Sequence, residues 1–309
     1  MAYGRDDRIT TDDDDWRDEY AMSRRAFALG GLAGTLAAGG LTASEIYRAR
    51  YVYPYRPVLE RIELVLPPEH PDLAGMTITF ITDTHVGPFI ALEDLQRAVA
   101  LLDGEAPDLV LLGGDYVSES PRYSRDTTEV LAGVISAAPL GGYGVLGNHD
   151  LATSNSASLT RIEEEFGRAG IPLLRNLAAE VRYRGASLYI GGIDETLLGD
   201  DQPGDTFAQI PDGAAAIALW HEPEFAELAA AQGAFAQLSG HTHGGQVRLP
   251  GIGPIGLPVH GKRFVIGHGV ADGMPIYTSR GVGVYRPPAR YNCPPEVTFI
   301  TLVANPNSA

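Results

Sequence analysis

The chain is short of the residue types that would mark several common chemistries. Its 309 residues include one cysteine, Cys293, which excludes an intramolecular disulfide and a thiolate-built zinc cluster. They include one lysine, Lys262, and 23 basic against 39 acidic side chains, a formal net charge of -16. So acidic a surface repels phosphate backbones, and no nucleic-acid partner is expected. A nucleophile elbow of the form Gly-x-Ser-x-Gly is absent, as are an internal repeat and an internal low-complexity tract. What is present is a 44% hydrophobic, 20% charged composition. That suffices for one large or two small globular domains and excludes disorder throughout.

Residues 1–22 stand apart from that globule. They carry eight acids, including the run Asp12 to Asp15, against three arginines. Such a stretch cannot bury a core and is expected to be disordered. Ser23-Arg24-Arg25-Ala26-Phe27-Ala28 follows, then an Ala-, Gly- and Leu-rich run as far as Ala43. Paired arginines before a mildly apolar segment with five glycines fit a twin-arginine export signal. Residues 23–43 are read as that signal, cleaved or kept as a membrane anchor. The mature protein is then expected in the periplasm or on the outer face of the cytoplasmic membrane, with the twin-arginine export machinery as a partner. Residues 44–59 read as a linker, extended over Tyr51–Pro57 because each proline moves its predecessor out of the helical region. The catalytic domain is placed at 60–303 and a tail at 304–309.

Beyond the linker, short apolar runs alternate with helical periodicity, which predicts an α/β fold. Strands are expected at Arg61–Leu66, Met76–Ile81, Leu109–Leu112, Gly144–Leu146, Ala215–Leu219 and Phe235–Leu238. A hairpin turns at Gly185, residues 244–275 read as loops, and Ile276–Ser279 and Val297–Val303 close the sheet. Polar residues recur where the strands end: Asp83 and His85, Asp115, Asn148 and His149, His221, then His241 and His243. In open α/β sheets, ligands gather beyond the carboxyl ends of the strands. Alternate residues of an extended segment share a side, which would pair Asp83 with His85 and His241 with His243. Carboxylate and imidazole without thiolate suit Mn, Fe or Zn.

Singly, each fragment reads as a turn or a solvated loop; together and in order they resemble the calcineurin-like metallophosphoesterases. The motifs are Asp83-Thr84-His85, Gly114-Asp115, Gly147-Asn148-His149-Asp150, His221 and Gly240-His241-Thr242-His243. Gly244-Gly245-Gln246-Val247-Arg248-Leu249-Pro250, Arg280-Gly281 and Cys293-Pro294-Pro295-Glu296 are similar to an exported bacterial phosphodiesterase subgroup with twin-arginine signals. The resemblance implies a four-layer α-β-β-α sandwich of two mixed β-sheets flanked by helices. It implies two divalent metal ions: Asp83, His85 and His243 on the first, Asn148, His221 and His241 on the second, and Asp115 bridging. It further implies that a hydroxide shared by the ions attacks phosphorus, with His149 facing the phosphate and Asp150 orienting its ring. The substrate is then a phosphodiester, phosphomonoester or pyrophosphate, lipid- or cell-wall-linked in the envelope, and Arg280 is the candidate phosphate contact. The alternative is a catalytically silent, metal-dependent binding module of the envelope. One departure is that Asp115 is followed by Tyr116-Val117-Ser118-Glu119, where many relatives have an acid sooner. Altered substrate contacts are expected there. Tyr116 and Tyr285 are further candidates for stacking on a base or sugar, and Cys293 is expected to be buried.

Overall fold

The computed structural model describes residues 43–152 and 156–306. The acidic leader, the paired-arginine segment before Ala43, and the last three residues of the tail lie outside the described residues. Helix α1 (Ala43–Tyr51) is followed by a 3₁₀ turn at Tyr53–Tyr55. The extended linker expected over Tyr51–Pro57 is therefore corrected. Pro54 sits at the start of the turn, where its fixed φ and missing N–H suit a helical first position. Among the described residues no helix is long and apolar enough to cross a membrane.

In chain order the strands are β1 (Val58–Val65), β2 (Thr77–Ile81), β3 (Leu109–Leu112), β4 (Gly142–Gly144), β5 (Leu177–Tyr183), β6 (Ala186–Gly192), β7 (Ala215–Leu219), β8 (Ala236–Ser239), β9 (Arg248–Leu249), β10 (Gly253–Pro254), β11 (Gly267–Ala271), β12 (Met274–Thr278) and β13 (Glu296–Val303). Helices α2 (Leu92–Val99), α3 (Ser124–Ser136), α4 (Asn148–Ala152), α5 (Ser156–Arg168), α6 (Pro203–Phe207) and α7 (Ala226–Ala231) lie between them. The first sheet has the order β1-β13-β2-β3-β4 and the second β11-β12-β8-β7-β6-β5. Strands β2, β3 and β4 run parallel, as do β6, β7, β8 and β12. Strand β13 pairs parallel with β1 and antiparallel with β2, and β11 and β5 pair antiparallel at the edges of the second sheet, so each sheet is mixed.

Period-two alternation divides each strand between two cores. Ile78, Phe80, Leu109 and Leu111 meet Leu188, Ile190, Ile217, Leu219 and Leu238 between the sheets. Ile81, Val110 and Leu112 face the other way, onto Leu95, Leu131, Ile162 and Phe166 of α2, α3 and α5. Ala216, Ala218 and Trp220 pack outward against Phe207, Ala226 and Ala229. Helices, sheet, sheet and helices thus form the expected four layers. Strand β11 corrects the expectation of loops throughout 244–275. It pairs with β12 through the two-residue turn Asp272-Gly273, where both φ angles are positive (48° and 86°). Asp-Gly is a strong sequence signal for such a hairpin.

Candidate metal centre

The loops that leave β2, β3, β4, β7 and β8 converge at one edge of the sandwich. The first two extend their ladder past the strands, as Asp83 N–H donates to Gly114 O (2.9 Å) and His85 N–H to Asp115 O (3.0 Å). Gly240 N–H donates to His221 O (3.1 Å), tying the loops of the second sheet in the same way. Alternation along an extended chain does not produce the convergence. Asp83, His85, Asp115, His241 and His243 all have positive φ, between 47° and 69°. Left-handed backbone is uncommon for residues with a Cβ, and such strain gathers at functional sites. Two glycines make room for it. Gly114 has φ +94°, and a Cβ there would lie 2.6 Å from Gly147 N; a Cβ on Gly240 would lie 2.1 Å from Asp83 Oδ2.

The donor atoms form two groups that meet at Asp115. In the first, His85 Nε2 and His243 Nε2 face each other at 3.0 Å, His243 Nε2 lies 3.3 Å from Asp83 Oδ1, and His85 Nε2 lies 3.4 Å from Asp115 Oδ2. In the second, His221 Nε2 lies 3.2 Å from Asp115 Oδ2, and His241 Nδ1 lies 2.9 Å from Asn148 Oδ1. The far ring nitrogens are held by protein: His85 Nδ1 by Ser118 Oγ (2.8 Å), His221 Nδ1 by Gly113 O (2.7 Å), His241 Nε2 by Val259 O (2.6 Å). For His221 and His241 a carbonyl partner fixes one N–H on the far side, leaving the other nitrogen to face inward, as a lone pair in neutral His241. His241 Nδ1 and Asn148 Oδ1 then meet as two acceptors. Lone pairs brought together this way fit a shared cation, and the donor set fits Mn, Fe or Zn.

Burial and mutual charge set the protonation states. Burial lifts Asp83 to about 7, opposed by the charge on His221 and reinforced by that on Asp115. Burial would also raise Asp115, but the charge of His221 and the hydrogen bond from it hold it well below the ordinary carboxylate value. Burial lowers His85 and His241 to about 3 each, so both are neutral at pH 7. Burial, then the neighbouring His85, holds His243 well below its usual value. His221 goes the other way: burial would lower it, and the Asp115 carboxylate raises it well above its usual value. Two buried carboxylates and a histidine cation in a desolvated pocket form a centre poised to exchange protons for metal.

The sequence pattern described as calcineurin-like phosphoesterase matches residues 76–245. The chain belongs to this family. It is 33% identical to the metallophosphoesterase YkuE of Bacillus subtilis over 285 residues, covering 91% of this chain and 98% of that one. It is 35% identical to the phosphodiesterase YaeI of Escherichia coli K12 over 234 residues, covering 74% and 83%. The family pattern ends at Gly245, so it spans all five loops that supply the donors.

The remaining candidates take varied places in this metallophosphoesterase. The half-buried His149 ring lies 4.9 Å from that of His85 and 4.1 Å from that of Tyr285. Its backbone N–H donates to Asp115 Oδ1 (2.7 Å). Asp150 accepts three backbone N–H groups, from Gly147 (3.0 Å), Asp115 (2.8 Å) and Tyr116 (2.9 Å), and so clamps the β3 and β4 loops together. Arg280 pairs its guanidinium with Glu60 (2.6 Å) and with Glu296. Tyr116 is buried in the core, where its hydroxyl donates to Val145 O (2.6 Å), which corrects its candidacy for stacking. Ser118, in the Tyr116–Glu119 stretch, holds the His85 ring through its hydroxyl. Cys293 is buried, as expected, and its thiol donates to His243 O (3.2 Å).

Three residues that shape the site do not stand out in the sequence as functional. Arg290 is wholly buried, and its guanidinium donates to the carbonyls of Arg280, Gly281, Gly283 and Cys293 at 2.6 to 3.2 Å. It thereby folds the segment that carries Tyr285 back onto Asp83. Gln246 holds the same segment from the other side, accepting from Tyr285 N–H (2.8 Å) and donating to Tyr285 O (3.2 Å). Glu222 is wholly buried beside His221. Only Gln246 carries a signal, in the Gly-Gly-Gln run.

Proposed function

We propose that this chain is a dinuclear metal-dependent phosphoesterase that acts outside the cytoplasmic membrane. The observation that carries the reading is the convergence of Asp83, His85 and His243 on one side of Asp115 and of Asn148, His221 and His241 on the other. Those groups would hold two divalent ions, whose chemistry when bound would be Lewis acidity toward phosphoryl oxygens and a lowered pKa for water at the site. The chain's own contribution is positioning. Asp115 fixes the spacing of the two groups, and Ser118, Gly113 O and Val259 O fix three ring orientations. Burial lowers the pKa of His149, so the ring is neutral at pH 7. It then offers an N–H to a phosphoryl oxygen and stabilises developing charge there. Tyr285, packed on His149, limits how the ring can turn and walls the same side. Neither role requires a covalent nucleophile.

A phosphodiester is the favoured substrate class, supported by the likeness to the phosphodiesterase YaeI. The test is metal content and hydrolysis of bis(p-nitrophenyl) phosphate beside p-nitrophenyl phosphate, after loading with Mn, Fe or Zn. Two ions per chain with faster diester turnover supports the reading. Two ions without turnover of either ester, or of a pyrophosphate, supports the silent binding module, and no bound ion refutes both. Export rests on Ser23-Arg24-Arg25 and the apolar run after it. Substituting Arg24 and Arg25 by lysine should leave the protein in the cytoplasm; unchanged export would refute the twin-arginine route. A location in the envelope would bring lipid- and wall-linked phosphodiesters within reach.

A further inference from the structure

We infer that Glu222 is an additional ligand of the second ion, an inference that rests on the dinuclear reading above. Glu222 follows His221 at the end of β7, and its side chain is wholly removed from solvent. Among the described residues no N–H group reaches either of its carboxyl oxygens, which lie beside another acid, Glu195, close enough to share a proton with it. The polar groups around it are engaged elsewhere. Glu195, the buried acid that interacts with it, turns its own oxygens to the backbone N–H groups of Leu197 (2.9 Å), Leu198 (2.6 Å) and Gly199 (3.1 Å). The Gln237 amide donates to the main-chain carbonyl of Glu222 (3.3 Å) and to Ser239 Oγ (2.9 Å). The Trp220 indole donates to Thr196 Oγ1 (3.1 Å).

Complete burial beside a second acid is unfavourable for the ionised form of either group, and a cation would relieve it. The missing partner has an evident place. An oxygen of Glu222 and a ring nitrogen of each of His221 and His241 all lie within 4.8 Å of one another. These are the two imidazoles assigned to the second ion. Donors sharing one ion through bonds of about 2.1 Å stand up to ~4.2 Å apart, close to the span of this group. Charge points the same way. The first group has Asp83 to itself and shares Asp115, whereas the second has only the shared Asp115 beside neutral Asn148. Glu222 gives the second ion a carboxylate of its own and matches the two positions.

The experiment is Mn(II) titration of the metal-stripped full-length protein, read by equilibrium dialysis and by electron paramagnetic resonance, for wild type, Glu222→Gln and Glu195→Gln. Wild type should bind two ions with a spin-coupled signal. Glu222→Gln should bind the first as wild type does and the second about tenfold or more weakly, leaving uncoupled Mn(II) at two equivalents. Glu195→Gln should bind as wild type. Two ions held by Glu222→Gln with wild-type affinity and coupling would overturn the inference. So would an equal loss in Glu195→Gln, which would mark the two acids as a structural pair sharing a proton. Should Glu222→Gln fail to fold, Glu222→Asp takes its place: a weakened second ion supports the assignment and an unchanged one overturns it. Fewer than two ions on wild type would instead refute the dinuclear reading itself.

Discussion

Gly240→Ala adds one methyl group in a place where the structure leaves no room for it. The new Cβ would lie 2.1 Å from Asp83 Oδ2 and 2.3 Å from Thr82 Oγ1, whereas Cβ atoms essentially never come within 3.0 Å of another atom. Asp83 would have to retreat by about 1 Å, since overpacked groups move rather than interpenetrate. That retreat strains the bonds its carboxylate accepts from His241 N–H (3.0 and 3.1 Å) and Thr82 Oγ1 (2.8 Å). Overpacking costs about 1–3 kcal/mol, and a hydrogen bond to a charged group contributes about 1.5–3 kcal/mol. The loss should be about 3–5 kcal/mol, a fall of roughly 6–20 °C in melting temperature for a domain of this size. Gly133 is the control. It lies exposed within α3, and a Cβ there would meet nothing inside 4 Å, so Gly133→Ala should stabilise by about 0.5–1 kcal/mol. Thermal unfolding by circular dichroism, with metal content measured on the same samples, reads both effects. If Gly240→Ala melts with wild type and keeps its metal, the packing argument for the site is wrong.

Three further outcomes are expected. Asp150→Ala orphans the N–H groups of Gly147, Asp115 and Tyr116 and should destabilise by about 2 kcal/mol even without metal; unchanged unfolding would restrict Asp150 to a role at the His149 ring. His149→Ala should keep its metal while kcat falls about 10²–10⁴-fold, and loss of metal would make His149 a ligand. The third concerns pH. The Asp83 carboxyl, raised to about 7, is mostly protonated at pH 6 in stripped protein. His221 also keeps its proton there, because Asp115 holds it well above its usual value. Metal needs the carboxylate and the bare imidazole, so loading at pH 6 should expel about two protons and affinity should rise with pH up to at least 7. His85 and His241, at about 3, add nothing to this dependence. An indicator dye in weak buffer counts the protons, and a count near zero at pH 6 would contradict the assigned charge states.

The parts of the site legible in the sequence were those that combine a local signal with a fixed position. Each donor loop follows a strand at or near the expected apolar run, although β4 ends at Gly144, where the strand was expected to begin, and Val145 and Leu146 belong to the loop. The backbone route to convergence was not legible, because positive φ at Asp83 or His243 depends on neighbouring loops that pin it. Arg290 in a Pro-rich stretch reads as a surface charge, and only the carbonyls gathered around it by the 280–293 segment explain its burial. Asp150 sits in a motif that suggests chemistry, yet its oxygens close on three main-chain N–H groups supplied by two loops. Strand β11 was missed for a different reason: glycines hid its pattern, although the Asp272-Gly273 turn was there to be read.

The position of β13 has a consequence for when the site can exist. Strand β13 is inserted between β1 and β2, so the first sheet stays open until residues 296–303 arrive. A partly synthesised chain ending before β7 holds Asp83, His85, Asp115 and Asn148 without three of its four inward imidazoles. Asp83 and the His241 N–H that steadies it are 158 residues apart. An ion held by these groups would therefore meet a folded domain rather than a growing one, and its binding energy would add to the joining of the two sheets. The choice of ion would then fall to the compartment in which β13 closes the first sheet.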